Sequence, residues 1–468
     1  MAAMIPPRNP LMVLIVVACE RVLGLFSREG TQRGKAARRV LGESRESFLL
    51  SVSCCPLFSW SLKTRYAVGM KLRAILKLIR VPNLPTAAAD VLAGFFVTLG
   101  PAYEVFLRAG NRDDMLKAWG VLILAIAAGK LVYSFGMAHN DLTHERKDRL
   151  LAKPRPLVAG EVSRPQVFSL TVMLALGAIA CAAASGWVAA GTPSAALMGA
   201  IPALVIVGLS MFYNFLAAGR VTESGYIEPT RASNVSGALL LGVCRVANVF
   251  MGVQGAALLL SSWGGAGLAD SVAIIRLVPV LLLATVFVHF VAVTSISLLE
   301  DFGGGRKGIA AAGFVLVSVP WIAPIWLATG GLSATAGEVS RSIAWLPLEL
   351  VTSPSDLGFG TIATPRTTAI ADAYAAQAAT TGLQTAGCVA LGLLAFQSII
   401  MLLRLAIAFR NPSPPMVGQC VRWGIITHTL GMGAWIALAC GDKGMVPGMA
   451  VAGLFFVCLM LGKLGRST

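Results

Sequence analysis

From residue 81 onward the chain alternates apolar runs of about twenty residues with short polar segments, the length a helix needs to cross the roughly 30 Å hydrocarbon layer of a bilayer. Such runs fall at 81–99, 118–138, 167–190, 194–215, 234–260, 275–299, 309–330, 384–408, 420–440 and 444–463. From Pro165 to Gly219 there is no Asp, Glu, Lys, Arg or His at all. That stretch holds two spans, and Gly186, Gly191 and Pro193 can turn the chain between them. The pattern predicts an all-α fold, a polytopic membrane helical bundle of nine or ten transmembrane helices. Residues 1–69 read differently: Leu11–Phe26 is broken by Glu20-Arg21, and a second apolar piece lies around Phe48–Leu62. This is an N-terminal extension, either upstream of the native start or a targeting segment. The membrane domain is predicted over 70–468, opening on the basic amphipathic stretch after Met70. The segment 333–383 mixes Ser, Thr, Pro and both charges, and reads as a loop with a short helix.

Composition agrees with the pattern. The chain is 56% hydrophobic and 13% charged, with a mean hydropathy of +0.76, against roughly 25% charged residues in soluble domains. The formal charge of +16 does not point to nucleic acid. Residues 1–80 hold 14 Lys/Arg and four Glu, which accounts for +10 of it, and no nucleic-acid-binding motif accompanies them. Basic residues beside spans set orientation or meet anionic lipid. With the N-terminus inside, Lys71–Arg80, Arg146–Arg164, Arg306-Lys307 and Lys463 with Arg466 all face the cytoplasm. Of nine cysteines, Cys181, Cys244, Cys388, Cys440 and Cys458 lie in or beside apolar runs, and none has metal-ligand spacing. They read as buried small side chains.

The densest ionisable run, HNDLTHERKDRLLAKPRPLVAGEVS, begins at His139, where an apolar span ends. Helical spacing puts Asp141, Glu145 and Asp148 at i, i+4 and i+7, with His144 at i+3 and Asn140 adjacent, on one polar face. Oxygen ligands of this kind suit Mg²⁺, which is held by one or two carboxylates together with substrate phosphates. Arg146, Lys147, Arg149, Lys153 and Arg155 surround them with phosphate-binding charge. A charged loop obeying the positive-inside rule explains the bases, but not an Asn-Asp pair at the very end of a span. The run has an echo 160 residues on. EDFGGGRKG, from Glu300, repeats an aspartate followed five and six positions later by Arg-Lys, here Asp301, Arg306 and Lys307. Four spans separate the two loops, so both emerge on one side.

These residues carry a resemblance. Asn140, Asp141, Asp148, Arg155, Pro156, Gly160 and Ser163 match the first aspartate-rich motif of the UbiA superfamily of intramembrane prenyltransferases. LIRVPNLPTAAADVLAG, from Leu78, is similar to that family's first-helix entry, with Arg80 and Asn83 in place. The second motif falls on SLLEDFGGGRKG. More narrowly, GVCRVANVFMG and TSISLLED resemble the UbiA-like proteins of ebo gene clusters. The sequence also departs from the family. His144 stands where motif one has its middle aspartate, and Leu298 and Gly305 stand where motif two has acids. Ala217 holds the lysine position after Tyr213, with Arg220 nearby. The resemblance implies a bundle whose central cavity opens to lipid and is capped by both acidic loops. It implies Mg²⁺ on Asn140, Asp141, Asp148, Glu300 and Asp301, with Asp141, Asp148 and Asp301 catalytic. The donor is an isoprenyl diphosphate and the prenyl acceptor is unspecified. Arg80, Asn83, His144, Arg155, Tyr213, Arg306 and Lys307 would contact substrate. Restoring the family residue by His144→Asp is expected to be tolerated.

Two ionisable residues inside spans join that group as functional candidates: Lys130, about three turns before Asn140, and Arg245. Asn248 shares a helix face with Arg245. His289 and His428 are single histidines in apolar runs and read as hydrogen-bonded packing residues. Two other functions fit the same basic mouth: a transporter of lipids or small anions, and a catalytically impaired protein that binds a polyprenyl lipid.

Overall fold

The computed structural model describes residues 72–103, 112–150, 155–217, 220–221, 227–228, 231–263, 272–298, 306–328 and 385–464, all within the unit Met70–Thr468. The readings of 1–69 and 333–383 fall outside them. Among the described residues, after a helical stretch at 72–78, eleven α-helices follow one another: α1 (Leu84–Leu99), α2 (Arg112–Thr143), the short α3 (Glu145–Leu150), α4 (Arg164–Ala190), α5 (Pro193–Ala217), α6 (Arg231–Trp263), α7 (Val272–Ser297), α8 (Arg306–Ala328), α9 (Thr385–Arg410), α10 (Pro414–Cys440) and α11 (Met445–Leu464). All ten apolar runs are helical over their described residues. Eight segments among the described residues are long and apolar enough to cross a membrane. The last of them, Pro414–Lys463, contains both α10 and α11, and α1, at 16 residues, is the shortest of the ten long helices. Strand structure among the described residues is a two-residue antiparallel pairing, Arg220–Val221 with Ile227–Glu228. The protein is an all-α, multi-pass membrane bundle.

A helix that is apolar all round is buried all round, and α1 obeys this: every residue from Pro85 to Leu99 except Leu92 is buried. It packs against α2, α6, α7, α10 and α11 and forms the axis of the bundle. The flanking helices pair in chain order, α4 on α2 and α5, α6 on α5 and α7, then α8 on α9 and α10 on α11. Their outer faces carry Phe168, Met173, Phe215, Phe314, Ile322 and Phe456 exposed. Such an apolar surface is at rest only in lipid.

Two glycines decide how close α1 and α6 come. A Cβ on Gly94 would overlap the Val249 carbonyl, and one on Gly252 would overlap the Val91 carbonyl. Helices in lipid associate through such small-residue contacts, because no hydrophobic force drives them together there. Gly252→Ala is therefore expected to cost about 2–3 kcal/mol or more by overpacking, read as a lowered unfolding midpoint in detergent. Gly453→Ala on α11, where nothing lies within 4 Å, should leave the midpoint unchanged. Equal midpoints for the two variants would refute the close crossing.

Candidate active site

The length of α2 places the first acidic motif. Its apolar stretch, 118–138, spans ~31 Å at 1.5 Å per residue, about the hydrocarbon thickness, so Asn140 and Asp141 emerge at the interface. The helix breaks at His144, but backbone bonds from His144 N to the Asn140 carbonyl (3.0 Å) and from Asp148 N to the His144 carbonyl (2.8 Å) keep helical spacing across the break. Asp141, His144 and Asp148 consequently share a buried face, at 2%, 8% and 4% exposure, while Asn140 is half-buried.

The acids are met by two arginines from other segments. Arg155 Nη1 lies 3.9 Å from Asp141 Oδ1, and its Nε lies 3.7 Å from Asp148 Oδ2. Arg80 Nη2 lies 3.7 Å from Asp141 Oδ1. These are ion pairs longer than hydrogen bonds, and Asp141 Oδ1 is buried with no hydrogen-bond partner. A small apolar core of Ala74, Leu78, Ala138, Leu142, Leu157, Val162 and Val167 clamps the three segments together, and Lys77 pairs with Glu161 (3.8 Å) at its edge. The tail of the motif has a local reason too. Gly160, at φ 73°, closes the turn after Pro156, whose carbonyl accepts from Glu161 N (2.9 Å). Ser163 N then donates to the Gln166 side chain (3.0 Å) and starts α4.

One reading of the run is corrected. Glu145 lies 40° round the helix from Asp141, at the edge of the buried stripe, and its carboxylate turns outward to Arg149 (2.7 Å) and Arg164 (3.0 Å). The reason is those two arginines, which offer it partners on the open side. The hydrogen bond from Arg149, aided by Arg164, holds the Glu145 carboxyl below its ordinary range. Whatever stability it adds is present above that range and fades as pH falls through the lowered value. Glu145→Gln should leave any activity of the site within about twofold of wild type, as expected for an exposed pair; a loss as large as that of Asp141→Asn would add Glu145 to the ligand set. His144, for its part, is no vacant aspartate position. Its ring Nε2 lies 3.2 Å from the Asn214 backbone carbonyl, to which it donates. His144→Asp would give up that hydrogen bond, since a carboxylate has no proton to donate. Asn214 also donates from Nδ2 to His139 Nδ1 (2.8 Å).

The fit of the site to Mg²⁺ is judged on its donors. Two buried carboxylates, one with an oxygen that accepts no hydrogen bond, suit a hard cation that brings its remaining oxygens as water and phosphate. Among the described residues there is no cluster of three His, Cys, Asp or Glu that could hold a metal by itself. The donor set therefore fits a metal shared with a phosphate-bearing ligand. Glu300 and Asp301 lie outside the described residues. Arg306 and Lys307 are exposed at the start of α8, with Arg306 6.0 Å from the Phe409 ring centroid.

The other expected substrate contacts have these partners. Arg245 and Asn248 are bonded to Asp90, which the sequence reading passed over. Asp90, wholly buried on α1, accepts at Oδ2 from Arg245 Nη1 (2.7 Å) and Asn248 Nδ2 (3.0 Å), and bonds at Oδ1 to His428 Nε2 (2.9 Å). Asn248 Nδ2 also reaches the Ala87 carbonyl (2.9 Å). The Arg245 guanidinium lies 4.3 Å from the Phe290 ring centroid and 5.2 Å from that of Tyr133. His289 bonds through Nε2 to the Gly424 carbonyl (3.1 Å), 4.8 Å ring to ring from His428. Both histidines are thus hydrogen-bonded inside the bundle. The signal for this centre was present: one acid and one base, each alone within an apolar run, are the natural partners of each other. Asn83 donates to the Tyr133 hydroxyl (3.2 Å), Lys130 is half-buried on α2, and Tyr213 packs its ring against Gly237 of α6.

No known family profile matches this chain, and no curated protein matches it. A solved structure described as digeranylgeranylglyceryl phosphate synthase in membranes aligns with 79% of this chain and 99% of its own, at 16% identity and a TM-score of 0.40.

Proposed function

We propose that this protein is a membrane prenyltransferase of the UbiA kind, which moves an isoprenyl group from an isoprenyl diphosphate to a nucleophilic acceptor. The observation that supports it best is the pair of buried carboxylates, Asp141 and Asp148, at the end of a membrane span, with Arg80 and Arg155 converging on them. Asp141 and Asp148, with Asn140, would hold Mg²⁺, which when bound neutralises diphosphate charge and eases its departure. Arg155 and Arg80 present guanidiniums to the diphosphate oxygens, where bidentate geometry favours arginine. The allylic carbon–oxygen bond breaks with its electron pair leaving on the diphosphate. The acceptor's lone pair then forms the new bond to carbon, and the acceptor gives up a proton. The surrounding apolar helices keep water from the allylic cation. The likeness of the α6 and α7 segments to the proteins of ebo gene clusters is the narrower form of this proposal.

The test is Mg²⁺-dependent diphosphate release by the purified protein from a panel of isoprenyl diphosphates of different length. No release from any member, in the presence of candidate acceptors, would remove the enzyme reading. One observation favours a second reading: the two arginines already balance the charge of the two acids without metal. A polyprenyl-lipid-binding protein would then bind lipid equally well in chelator and release no diphosphate.

Sidedness is part of the proposal. Four spans, α4 to α7, separate the end of α2 from the start of α8, so the two basic loops should face the cytoplasm together. Arg146→Cys and Arg306→Cys, both at exposed positions, should be labelled by an impermeant thiol reagent from the same side of sealed vesicles. Labelling from opposite sides would break the shared mouth.

A further inference from the structure

Arg80 is the only non-glycine residue among the described ones with a positive φ, at 51°. An L-residue in that region costs roughly 1–2 kcal/mol and persists only where its surroundings hold it. Its own backbone bonds, Arg80 N to the Lys77 carbonyl (3.1 Å) and Asn83 N to the Arg80 carbonyl (2.9 Å), close the helical stretch 72–78 and open the next turn. A further set of contacts meets at Asn83, three residues on, at the entry to α1. Two arms grip it, and both start from Arg245. In the first, Arg245 Nη2 donates to Thr86 Oγ1 (3.0 Å), and that hydroxyl donates onward to the Asn83 carbonyl (2.7 Å). In the second, the guanidinium lies by the ring of Tyr133, whose hydroxyl accepts from the Asn83 side-chain amide. Arg245 is itself immobilised by Asp90, which Asn248 and His428 hold from α6 and α10. In the first arm the hydrogens run in one direction, from guanidinium to hydroxyl to carbonyl.

We infer that Arg245 and Thr86 are positioning residues: the buried Asp90–Arg245 pair sets the left-handed turn that presents Arg80 to Asp141 at the diphosphate site. This rests on the reading of the Asp141 mouth as a diphosphate site. A threonine bonding back to the carbonyl three residues earlier is common at helix starts and by itself proves nothing. Here the same hydroxyl accepts from a buried arginine, so it couples the ion-paired centre to the turn. Without it, Arg80 relaxes toward negative φ and its guanidinium swings away from the two acids.

The experiment is a double-mutant cycle on the full chain in detergent, with inorganic pyrophosphate and Mg²⁺ as the probe and affinity as the readout. Thr86→Val and Arg80→Gln should each weaken binding by about tenfold, and the double variant should be no weaker than Arg80→Gln alone, because contacts acting through one another do not add. Thr86→Ser, which keeps the hydroxyl, should bind like wild type. Tyr133→Phe removes only an oxygen from the second arm and tests the same coupling should Thr86→Val fold poorly; it too should add nothing to Arg80→Gln. Additive losses in both cycles, or wild-type affinity in Thr86→Val and Tyr133→Phe, would overturn the positioning role while leaving the diphosphate site standing. A wild-type protein that binds no pyrophosphate overturns the diphosphate site, and the positioning role with it.

Discussion

Asp141→Asn is expected to lower Mg²⁺-dependent diphosphate release by about 100-fold or more, since even partners outside a metal's direct ligands cost 10–100-fold when removed. The substitution keeps the shape of the side chain and deletes its charge. Asp141 is the acid on which Arg80 and Arg155 both converge, and its Oδ1 accepts no hydrogen bond. If that oxygen takes a metal bearing diphosphate, the amide cannot replace it. Asp301→Asn in the second motif should be comparably severe, with Glu300 beside it as the one neighbouring acid. Thermal unfolding separates this effect from misfolding: the amide at 141 leaves two arginines short of one countercharge, a modest change because both guanidiniums are partly exposed. Wild-type release in both amide variants would refute the metal–diphosphate mechanism and leave the lipid-binding reading.

The second large effect is on stability. Asp90→Asn or Arg245→Met should each cost about 3–5 kcal/mol, because each leaves one charge in the bundle interior without its partner. Both show as a lower unfolding midpoint and a lower yield of folded protein from membranes. The combined apolar variant, Asp90→Leu with Arg245→Met, should recover part of the loss, since no charge is then stranded. Recovery stays incomplete because His428 and Asn248 also lose an acceptor, at roughly 1–3 kcal/mol for each buried polar group left unmade. Midpoints equal to wild type in either single variant would show that Asp90 and Arg245 do not depend on each other.

The apolar runs alone determined the architecture. A segment of twenty apolar residues has one stable form in lipid, because every backbone N–H and C=O must bond within the segment, and each of the ten runs is a helix. The place of the acidic mouth was legible for the same reason: the length of the α2 run sets where Asp141 leaves the membrane. Gly191, at positive φ, ends α4 at the turn the sequence placed there, because only local geometry is involved. Helical periodicity also put Asp141, His144 and Asp148 within reach of one another, but it could not say which face is buried. That choice belongs to packing, and it sent Glu145 outward to Arg149 and Arg164 and His144 inward to Asn214. The sequence could suggest a partner for Arg245, a lone acid in another apolar run, but could not place the two together. Asp90 lies 155 residues before it, and nothing in either run fixes their distance. What brings them together is the crossing of α1 and α6 at Gly94 and Gly252, a contact between distant segments. Burial then makes the pairing obligatory, because neither charge has water to turn to.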